Sequence, residues 1–371
     1  MLPYIYSPVV KGKSNDLRAL NCVPKSVRKM TKALVDISPV PQGKSVDDHI
    51  QKAVSDIFKL DEDVNIFVDF YGFKPGEKDA KNKAAVIAGY EKLLQCGRKI
   101  TPVYGFGRGD EGIWEKLKDV VKAFDSGFCF RVECEDLDDE AEDTWQGILM
   151  RSALLATPLS EVDLFIDLRD IRTANVDNLQ DLVTDFLASK PKGVQFRSLC
   201  IAGSSAPKDV TVVAKDTVGA LYRNELKLWA RLKSDVPDCV NLVYGDYGIV
   251  HPDFMGDIPC GGTVNCKIRY TAGDKILIFR GHVRSGDSGQ THALARMVIE
   301  HEAYQGWDFS DGDEFIYDCA NKSVGPGNPG NWVFADLNHH LVYAALQIKR
   351  VAAELEVDSS EAEIDSLLTE Y

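Results

Sequence analysis

The sequence contains no apolar run that approaches the ~20 residues of a membrane-spanning helix. Residues 1–13 also lack the charged leader and long apolar stretch of a secretory signal. The nine cysteines form no CxxC pair, and Cys129 and Cys200 stand within apolar runs, where buried reduced thiols are expected. Together these features predict a cytoplasmic protein that has no membrane partner.

Several motifs of catalysis and nucleotide binding are also absent. No GxGxxG follows the first predicted strand and no GxxxxGK[ST] occurs, so neither a Rossmann nor a P-loop phosphate site is predicted. The sequence contains no GxSxG and no HExxH. The standard serine-hydrolase and zinc-protease mechanisms therefore receive no support.

Negative charge is abundant but unevenly spread. The formal net charge is −14, and residues 133–143 hold eight acids while residues 354–371 hold seven, with no base in either segment. The rest of the chain is close to neutral, and the overall sign argues against non-specific binding of nucleic acid. We interpret the C-terminal run as a solvated, partly disordered end or as a partner-binding segment.

Eight short apolar segments recur along the chain, and amphipathic segments lie between them. The short segments are apolar at both odd and even positions, which is typical of strands buried on both faces of a parallel sheet. They are residues 4–10, 33–37, 64–70, 100–104, 128–133, 162–168, 198–202 and 240–244. Segments with helical period are residues 47–60, 83–95, 114–124, 178–189, 217–233 and 339–354. Eight such repeats predict a closed (β/α)8 barrel rather than an open doubly wound sheet.

The regular spacing breaks after the eighth predicted strand. Residues 248–337 form an expanded βα loop, in which 264–271 and 275–281 predict a hairpin and 291–302 a short helix. Because βα loops emerge at the carboxyl ends of barrel strands, we expect this insertion to cover that face as a lid. The predicted organisation is one barrel domain over residues 1–354, followed by an acidic tail at 355–371.

Polar residues stand at the carboxyl ends of most predicted strands. A charge at the end of a buried strand is costly unless it is paired or solvated, so we expect these side chains to converge at one cavity. The candidate acid–base or metal-binding residues are Asp69, Glu133, Asp167 and Asp246. The candidate anion-binding residues at strand ends are Lys11, Lys13, Arg131, Arg169, Ser204, Ser205 and Tyr247. Alternatively, the same residues form ion pairs that seal the barrel top.

Two segments rich in glycine suggest a phosphate site. Gly203-Ser204-Ser205 follows the seventh strand, and residues 325–332 precede the last helix. Barrels often bind phosphate with the loops after strands seven and eight and a helix N-terminus, although a plain turn-rich loop also explains the pattern. The carboxylates above could hold Mg²⁺ through water, or they could be structural ion pairs. His339 and His340 are adjacent on a helix and diverge by about 100°, so no dedicated metal site is predicted.

A further set of positions carries a family resemblance. The most distinctive is Tyr244-Gly245-Asp246-Tyr247-Gly248 with Pro252. The others are Tyr4, Pro8, Lys11 and Lys13; Arg223-x-Glu225 with Trp229; Lys267-Ile268-Arg269-Tyr270; Arg280-Gly281; Trp332; and His339-His340. In their order and spacing the chain resembles the Beta protein family, named for the Beta protein of a satellite coliphage. That family tends to have a glutamate soon after the first lysines, where this chain has the shorter Asp16.

The resemblance implies a system-level role. Such proteins look like parts of prophage and anti-phage defence islands, and the satellite-phage relative is similar to an antitoxin. It implies no established catalytic residues, so the matched positions enter only as candidate ligand-binding residues: Arg269, Tyr270, Arg280, Trp332, His339 and His340. The expected partner is a protein encoded in the same operon, a phosphorylated small molecule or a nucleic acid.

Three hypotheses follow. The first is a defence-associated or antitoxin-like barrel that recognises its partner or phosphorylated ligand at the carboxyl face. The second is a metal-dependent phosphoesterase or nuclease that uses the four candidate carboxylates, with Lys11, Arg131 and Arg269 holding the anion. The third is a non-catalytic interaction scaffold. The first two predict that Lys11, Arg131, Asp167 and Asp246 converge within one cavity.

Overall fold

The structure is a computed structural model that describes residues 4–109, 112–138, 141–235, 241–253, 265–283, 289–355 and 361–369. The strands are β1 (Tyr6–Lys11), β2 (Ala33–Asp36), β3 (Ile66–Asp69), β4 (Thr101–Gly105), β5 (Phe128–Glu133), β6 (Val162–Asp170), β7 (Ser198–Ser204), β8 (Thr217–Tyr222), β9 (Leu242–Asp246), β10 (Asn265–Ala272) and β11 (Lys275–Val283). The helices are α1 (Ser14–Asn21), α2 (Lys25–Arg28), α3 (Val46–Phe58), α4 (Ala85–Gln95), α5 (Gly112–Phe124), α6 (Ala141–Leu155), α7 (Val176–Ala188), α8 (Asn224–Asp235), α9 (Gly289–Ile299), α10 (Asp311–Ala320), α11 (Pro329–Glu354) and α12 (Glu361–Thr369).

Eight parallel strands close into a barrel in the order β1-β2-β3-β4-β5-β6-β7-β9, which confirms the predicted fold. The ring closes where β1 pairs with β9, with Tyr6 opposite Tyr244 and Pro8 opposite Asp246. Among the described residues, no helix is both long enough and apolar enough to cross a bilayer.

Alternate residues of each strand point into the barrel, and the others point toward the helices. The apolar cluster of the barrel interior is small and consists of Tyr4, Val9, Leu34, Phe67, Val103, Cys129, Phe165, Cys200, Ala202, Val243 and Tyr247. A much larger apolar cluster fills the space between the strands and the helices. Both faces of every barrel strand are therefore buried.

Residues 217–222 differ from the prediction, which placed them in a helix. They form β8, which pairs antiparallel with β11 in a separate three-stranded sheet of order β10-β11-β8. The helical state is disfavoured by the β-branched side chains of Thr217 and Val218 and by the flexible backbone of Gly219. The edge of β11 offers these residues backbone hydrogen-bond partners. The helix that the pattern predicted, α8, begins only at Asn224.

The predicted hairpin in the insertion is present as β10 and β11, joined at Gly273, which has a φ of +54°. Its turn packs along the flank of α11, where the Gly273 amide donates to the Tyr343 hydroxyl at 2.6 Å. A different part of the insertion, residues 247–253, crosses the barrel mouth. Residues 254–264 and 284–288 lie outside the described residues, so a lid formed by the whole insertion stays a prediction.

The acidic C-terminal segment is structured over residues 361–369, where the interpretation as a solvated end was wrong. These residues form α12, which packs against α8 and buries Ile364 and Leu368. The Lys227 ammonium lies 2.7 Å from the Asp365 carboxylate across this contact. The i, i+4 spacing of two apolar residues gives the helix the stripe it needs to dock.

Candidate functional site at the barrel mouth

Arg131 occupies the centre of the barrel, just below its carboxyl end. Its side chain is fully buried, and its Nη1 donates to Asp69 Oδ2 at 2.9 Å. Its Nε and Nη2 donate to Asp167 Oδ2 at 3.0 and 2.6 Å, and Nη2 also donates to the Tyr247 hydroxyl at 2.9 Å. The side chains of strands β3, β5 and β6 therefore do converge here, as the sequence predicted.

Every carboxylate of this inner layer has a cationic partner. Arg108, from the loop after β4, donates to both oxygens of Asp69 at 3.0 and 2.8 Å. Burial alone raises the pKa of Asp167, but Arg131, Arg169 and the Tyr247 hydroxyl hold that pKa below its usual value. Asp167 is thus an ionised counterion rather than a base waiting for a proton.

Lys11 is paired in the same way. Its ammonium lies 2.8 Å from Asp36 Oδ2, at the end of the neighbouring strand, and donates to the Pro252 carbonyl at 2.9 Å. Lys11 therefore ties the segment that crosses the mouth to the barrel rim. The sequence predicted Lys11 at the mouth but missed Asp36, which is the fourth residue of a short buried strand.

The outer layer of the mouth is built around Tyr71. The guanidinium groups of Arg108, Arg131 and Arg169 lie 4.4, 4.3 and 5.0 Å from the centre of its ring. The Tyr71 hydroxyl donates to Glu133 Oε2 at 3.3 Å, and burial raises the pKa of Glu133. The side chains of Arg108, Arg169 and Glu133 are 14, 23 and 28% exposed, so an incoming ligand can reach them.

Arg169 is held in an unusual backbone conformation. Its φ is +57°, in the left-handed region that residues other than glycine rarely adopt, and the β6–β7 register shifts after Asp167. Its backbone N–H donates to Asp167 Oδ1 at 3.0 Å, while its Nη2 donates to Asp253 Oδ1 at 2.8 Å. This conformation costs on the order of 1 kcal/mol or more, and it directs the guanidinium over the mouth.

Asp246 lies in a different environment, and the prediction that it joins the other carboxylates in one cavity was wrong. It has the opposite parity to Tyr247 and points out of the barrel toward α11. Its Oδ1 accepts from the Tyr6 hydroxyl and the Gly248 amide, both at 2.9 Å, and its Oδ2 lies 2.9 Å from His340 Nε2. The adjacent residue, rather than Asp246, faces the mouth.

The two segments that were predicted to form a phosphate site do not come together in one. The Ser204 hydroxyl donates to the Val250 carbonyl at 3.0 Å, and the Ser205 hydroxyl donates to Glu225 Oε2 at 2.5 Å. Both serines are buried and engaged, so they hold the loops together. The glycine-rich N-terminus of α11 lies instead against α1, where a Cβ on Gly330 would stand 2.4 Å from the side-chain nitrogen (Nδ2) of Asn15.

The candidate residues of the insertion and α11 also have internal partners. Arg269 donates to Asp336 Oδ2 at 3.0 Å, and Tyr270 donates to Asp313 Oδ1 at 2.8 Å. The remaining contacts are those of His339 Nδ1 with Asp313 Oδ2, His340 Nδ1 with the Thr271 hydroxyl, Arg280 with the Val213 carbonyl and Trp332 with the Pro326 carbonyl. The contacts of Arg269, His339 and His340 join the insertion to α11, whereas Arg280 joins β11 to the loop before β8. None of the six partners belongs to the Arg131 layer.

A magnesium site receives little support from this geometry. Within the described ranges, no group of three or more histidine, cysteine, aspartate and glutamate side chains is placed to hold an ion. An ion at Asp69 or Asp167 would first have to displace the Arg108 and Arg131 guanidinium groups. The arrangement at the mouth is instead suited to binding an anion through its accessible arginines.

Glu225, in the Arg223-x-Glu225 motif, gives a pH-dependent prediction. Burial raises its pKa from 4.5 to about 7. The folded protein therefore binds this proton more tightly than the unfolded chain does. The contribution of the protonated Glu225 to the free energy of unfolding is fully present below pH 4.5 and is lost as the pH rises through about 7. In Glu225→Gln the amide oxygen still accepts from Ser205 and cannot ionise. We expect the stability of the variant relative to the wild type to increase by about 2–3 kcal/mol between pH 4.5 and 8.

Urea unfolding of both proteins at several pH values measures this change. The exposed Glu115→Gln variant on α5 serves as the matched control and should show no comparable trend. A difference between Glu225→Gln and the wild type that stays constant over the range would contradict the assignment.

The closed barrel and its polar mouth define the class of protein: a (β/α)8 barrel in which an extended last loop packs along the final barrel helix. The sequence profile described as "Beta protein" matches residues 6–345, and the chain belongs to the Beta protein family. A comparison with curated proteins gives no match.

Several solved structures share the general fold at low similarity. Triosephosphate isomerase from Bartonella henselae is 12% identical, with a TM-score of 0.34 and coverage of 66% of this chain and 92% of that chain. A mandelate racemase/muconate lactonizing protein from Herpetosiphon aurantiacus is 13% identical, with a TM-score of 0.35 and coverage of 75% and 63%. Alanine racemase from Clostridium difficile 630 is 11% identical, with a TM-score of 0.34 and coverage of 79% and 83%.

Proposed function

We propose that this Beta family protein acts in phage- or prophage-associated defence, or as an antitoxin-like protein, by recognising an anionic ligand at the barrel mouth. The ligand is a phosphorylated small molecule or an anionic group of a partner protein encoded in the same operon. Family membership supports the setting. The observation that carries the chemistry is the pair of partly exposed arginines, Arg108 and Arg169, whose guanidinium groups both lie within 5.0 Å of the centre of the Tyr71 ring.

This pair is preorganised for an anion. A guanidinium group presents parallel N–H donors that match the oxygens of a phosphate or carboxylate, and a rigid pair loses little entropy on binding. The fully buried Arg131 layer supports both residues from below, since Asp69 binds Arg108 and Asp167 binds the Arg169 amide.

The present partner of Arg169 is replaceable. Asp253 is 53% exposed and lies at the end of the described segment that crosses the mouth. An exposed ion pair of this kind contributes little stability, so a ligand phosphate can replace the Asp253 carboxylate at small cost. The geometry thus supports an exchange of an internal carboxylate for an external anion.

Arg169→Ala should weaken binding of the ligand about 10- to 100-fold, because one charge-assisted contact of about 1.5–3 kcal/mol is lost. Arg169→Gly should weaken binding equally but should be more stable than Arg169→Ala by about 1 kcal/mol, because glycine relieves the positive φ. Binding is measured by co-purification from the native operon and by phage plating. Arg296→Ala, which removes an exposed arginine on α9, is the matched control.

The proposal fails if no neighbouring gene product or phosphorylated ligand co-purifies and if Arg169→Ala leaves phage plating unchanged. An equal stability of the alanine and glycine variants would contradict the strain assigned to Arg169.

The hydrolase alternative now depends mainly on Glu133, the accessible carboxylate beside Arg108. If the protein turns over a phosphoester, Glu133→Gln should lower turnover while leaving the fold intact. A variant that retains full defence activity would favour recognition, and so would one that retains the bound partner.

A further inference from the structure

A second cavity opens on the carboxyl face beside the end of β1. Its volume is about 460 Å³, within the range of small-molecule sites. The loop after β1, the loop after β2 and the first turn of α11 enclose it. Its lining includes Gly12, Asp16, Ser38, His49 and Gly330. Lys11 borders it as well, with its ammonium bound to Asp36, but neither Arg108 nor Arg169 lines it. The cavity is therefore separate from the arginine pair at the mouth.

Asp16 is the unusual member of this lining. Its side chain belongs to the first turn of α1, and the residue is only 8% exposed. Its carboxylate accepts a hydrogen bond from its own backbone amide and from no other described residue. Burial raises its pKa to about 6, although Lys13, Lys11 and Arg269 act in the opposite direction. Because Asp16 lines the cavity and its carboxylate has no donor from another described residue, a ligand in the cavity can supply one.

Free donors surround the same cavity. Three lining residues, Ser14, Asn15 and Gly330, have backbone amides that donate to no acceptor within the described chain. Lys13 precedes α1 as its cap residue and gives no side-chain cap to these amides. Amides in the first turn of a helix point away from the helix and attract anions.

Glycine at position 330 leaves room for this arrangement. A Cβ there would stand 2.4 Å from the side-chain nitrogen of Asn15, so a larger residue would displace that side chain from the contact between the first turns of α1 and α11. The 26-residue α11 then adds its dipole to that of α1 at one point.

We propose that this cavity binds a small phosphorylated molecule that carries a hydroxyl or amino group next to its phosphate. The phosphate accepts hydrogen bonds from the amides of Ser14, Asn15 and Gly330. The neighbouring hydroxyl or ammonium group donates to the Asp16 carboxylate. This pairing gives the Asp16 carboxylate a donor and the three backbone amides an acceptor, and it does not depend on the function assigned to the mouth.

Titration calorimetry with three probes tests the proposal: inorganic phosphate, glycerol 3-phosphate and phosphoethanolamine. The wild type should bind the two organic phosphates at least about 10-fold more tightly than inorganic phosphate. Asp16→Asn keeps the shape of the side chain and removes its charge. It should abolish most of the preference for phosphoethanolamine without weakening the binding of inorganic phosphate, because it removes a negative charge beside the phosphate.

Ser14 offers a matched pair of variants for the amide donors. Proline is tolerated at the first position of a helix, and Lys13 already has the extended backbone that must precede it, so Ser14→Pro deletes one amide without breaking α1. Ser14→Ala keeps the amide and removes only the hydroxyl, which donates to Asp56 at 3.0 Å. Ser14→Pro should weaken all three probes about 10-fold relative to Ser14→Ala.

Three results would overturn the proposal. One is the absence of binding of any probe up to about 10 mM. Another is equal affinity in Ser14→Pro and Ser14→Ala. The third is a loss of binding in Arg169→Ala but not in Ser14→Pro, which would place the phosphate at the barrel mouth. Thermal unfolding of each variant establishes that a lost affinity does not reflect a lost fold.

Discussion

Arg131→Met is expected to lower the free energy of unfolding by about 3–5 kcal/mol. The guanidinium has no exposure to solvent and satisfies Asp69, Asp167 and the Tyr247 hydroxyl at once. Methionine fills similar volume but leaves the carboxylates of a dry interior short of countercharge. The lost free energy reflects the removal of the cation from a buried charge network while its anions remain, and urea unfolding measures it.

Lys83→Met is the matched control for this substitution. Lys83 and its partner Glu91 are 40 and 41% exposed, so loss of that pair should cost no more than about 1 kcal/mol. Adding Asp167→Asn to Arg131→Met should recover part of the loss, because the double variant removes an unpaired charge as well as its former partner. An Arg131→Met variant no less stable than Lys83→Met would contradict the central role of Arg131.

The fold could be predicted because its signal is repeated. Each of the eight predicted strands lies within two residues of an observed one at both ends. A buried parallel strand has to be short and apolar, and the helix that follows it has to be amphipathic, so each repeat gives the same evidence again. The β8 strand occurs once and pairs with β11, far along the chain, so its local pattern could not reveal it.

The mouth could be predicted only in part, because the strands are apolar on both faces. The strand ends predicted the position of Asp69, Arg131 and Asp167 at the mouth, since each is the charged residue that follows an apolar run. The strand ends could not show whether the odd- or the even-numbered residues of a strand face the barrel interior. Asp246 and Tyr247 are adjacent at the end of β9, and this alternation decides that Tyr247 rather than Asp246 faces the mouth. Arg108 was missed because it comes from a loop rather than from a strand end, and its role depends on three-dimensional proximity to Asp69.

Asp246→Ala is expected to lower the free energy of unfolding by about 3–5 kcal/mol, although Asp246 has no contact with the mouth. Burial alone raises the pKa of Asp246, but His340, Arg223 and the Gly248 amide hold it below its usual value. Burial lowers the pKa of His340, so the pair is an ionised carboxylate and a neutral imidazole. Alanine leaves the Tyr6 hydroxyl, the Gly248 amide and the imidazole N–H without their acceptor.

Asp246→Asn provides the graded comparison, with an expected cost of about 1–2 kcal/mol. The asparagine oxygen can still accept from Tyr6 and Gly248, while its amide can donate to His340 if the imidazole changes tautomer. Thr271, whose hydroxyl lies 2.7 Å from His340 Nδ1, can accept or donate and so permits that change. Thr271→Val should remove this freedom and raise the cost of Asp246→Asn toward that of Asp246→Ala. Equal costs for asparagine in both backgrounds would show that the imidazole does not switch.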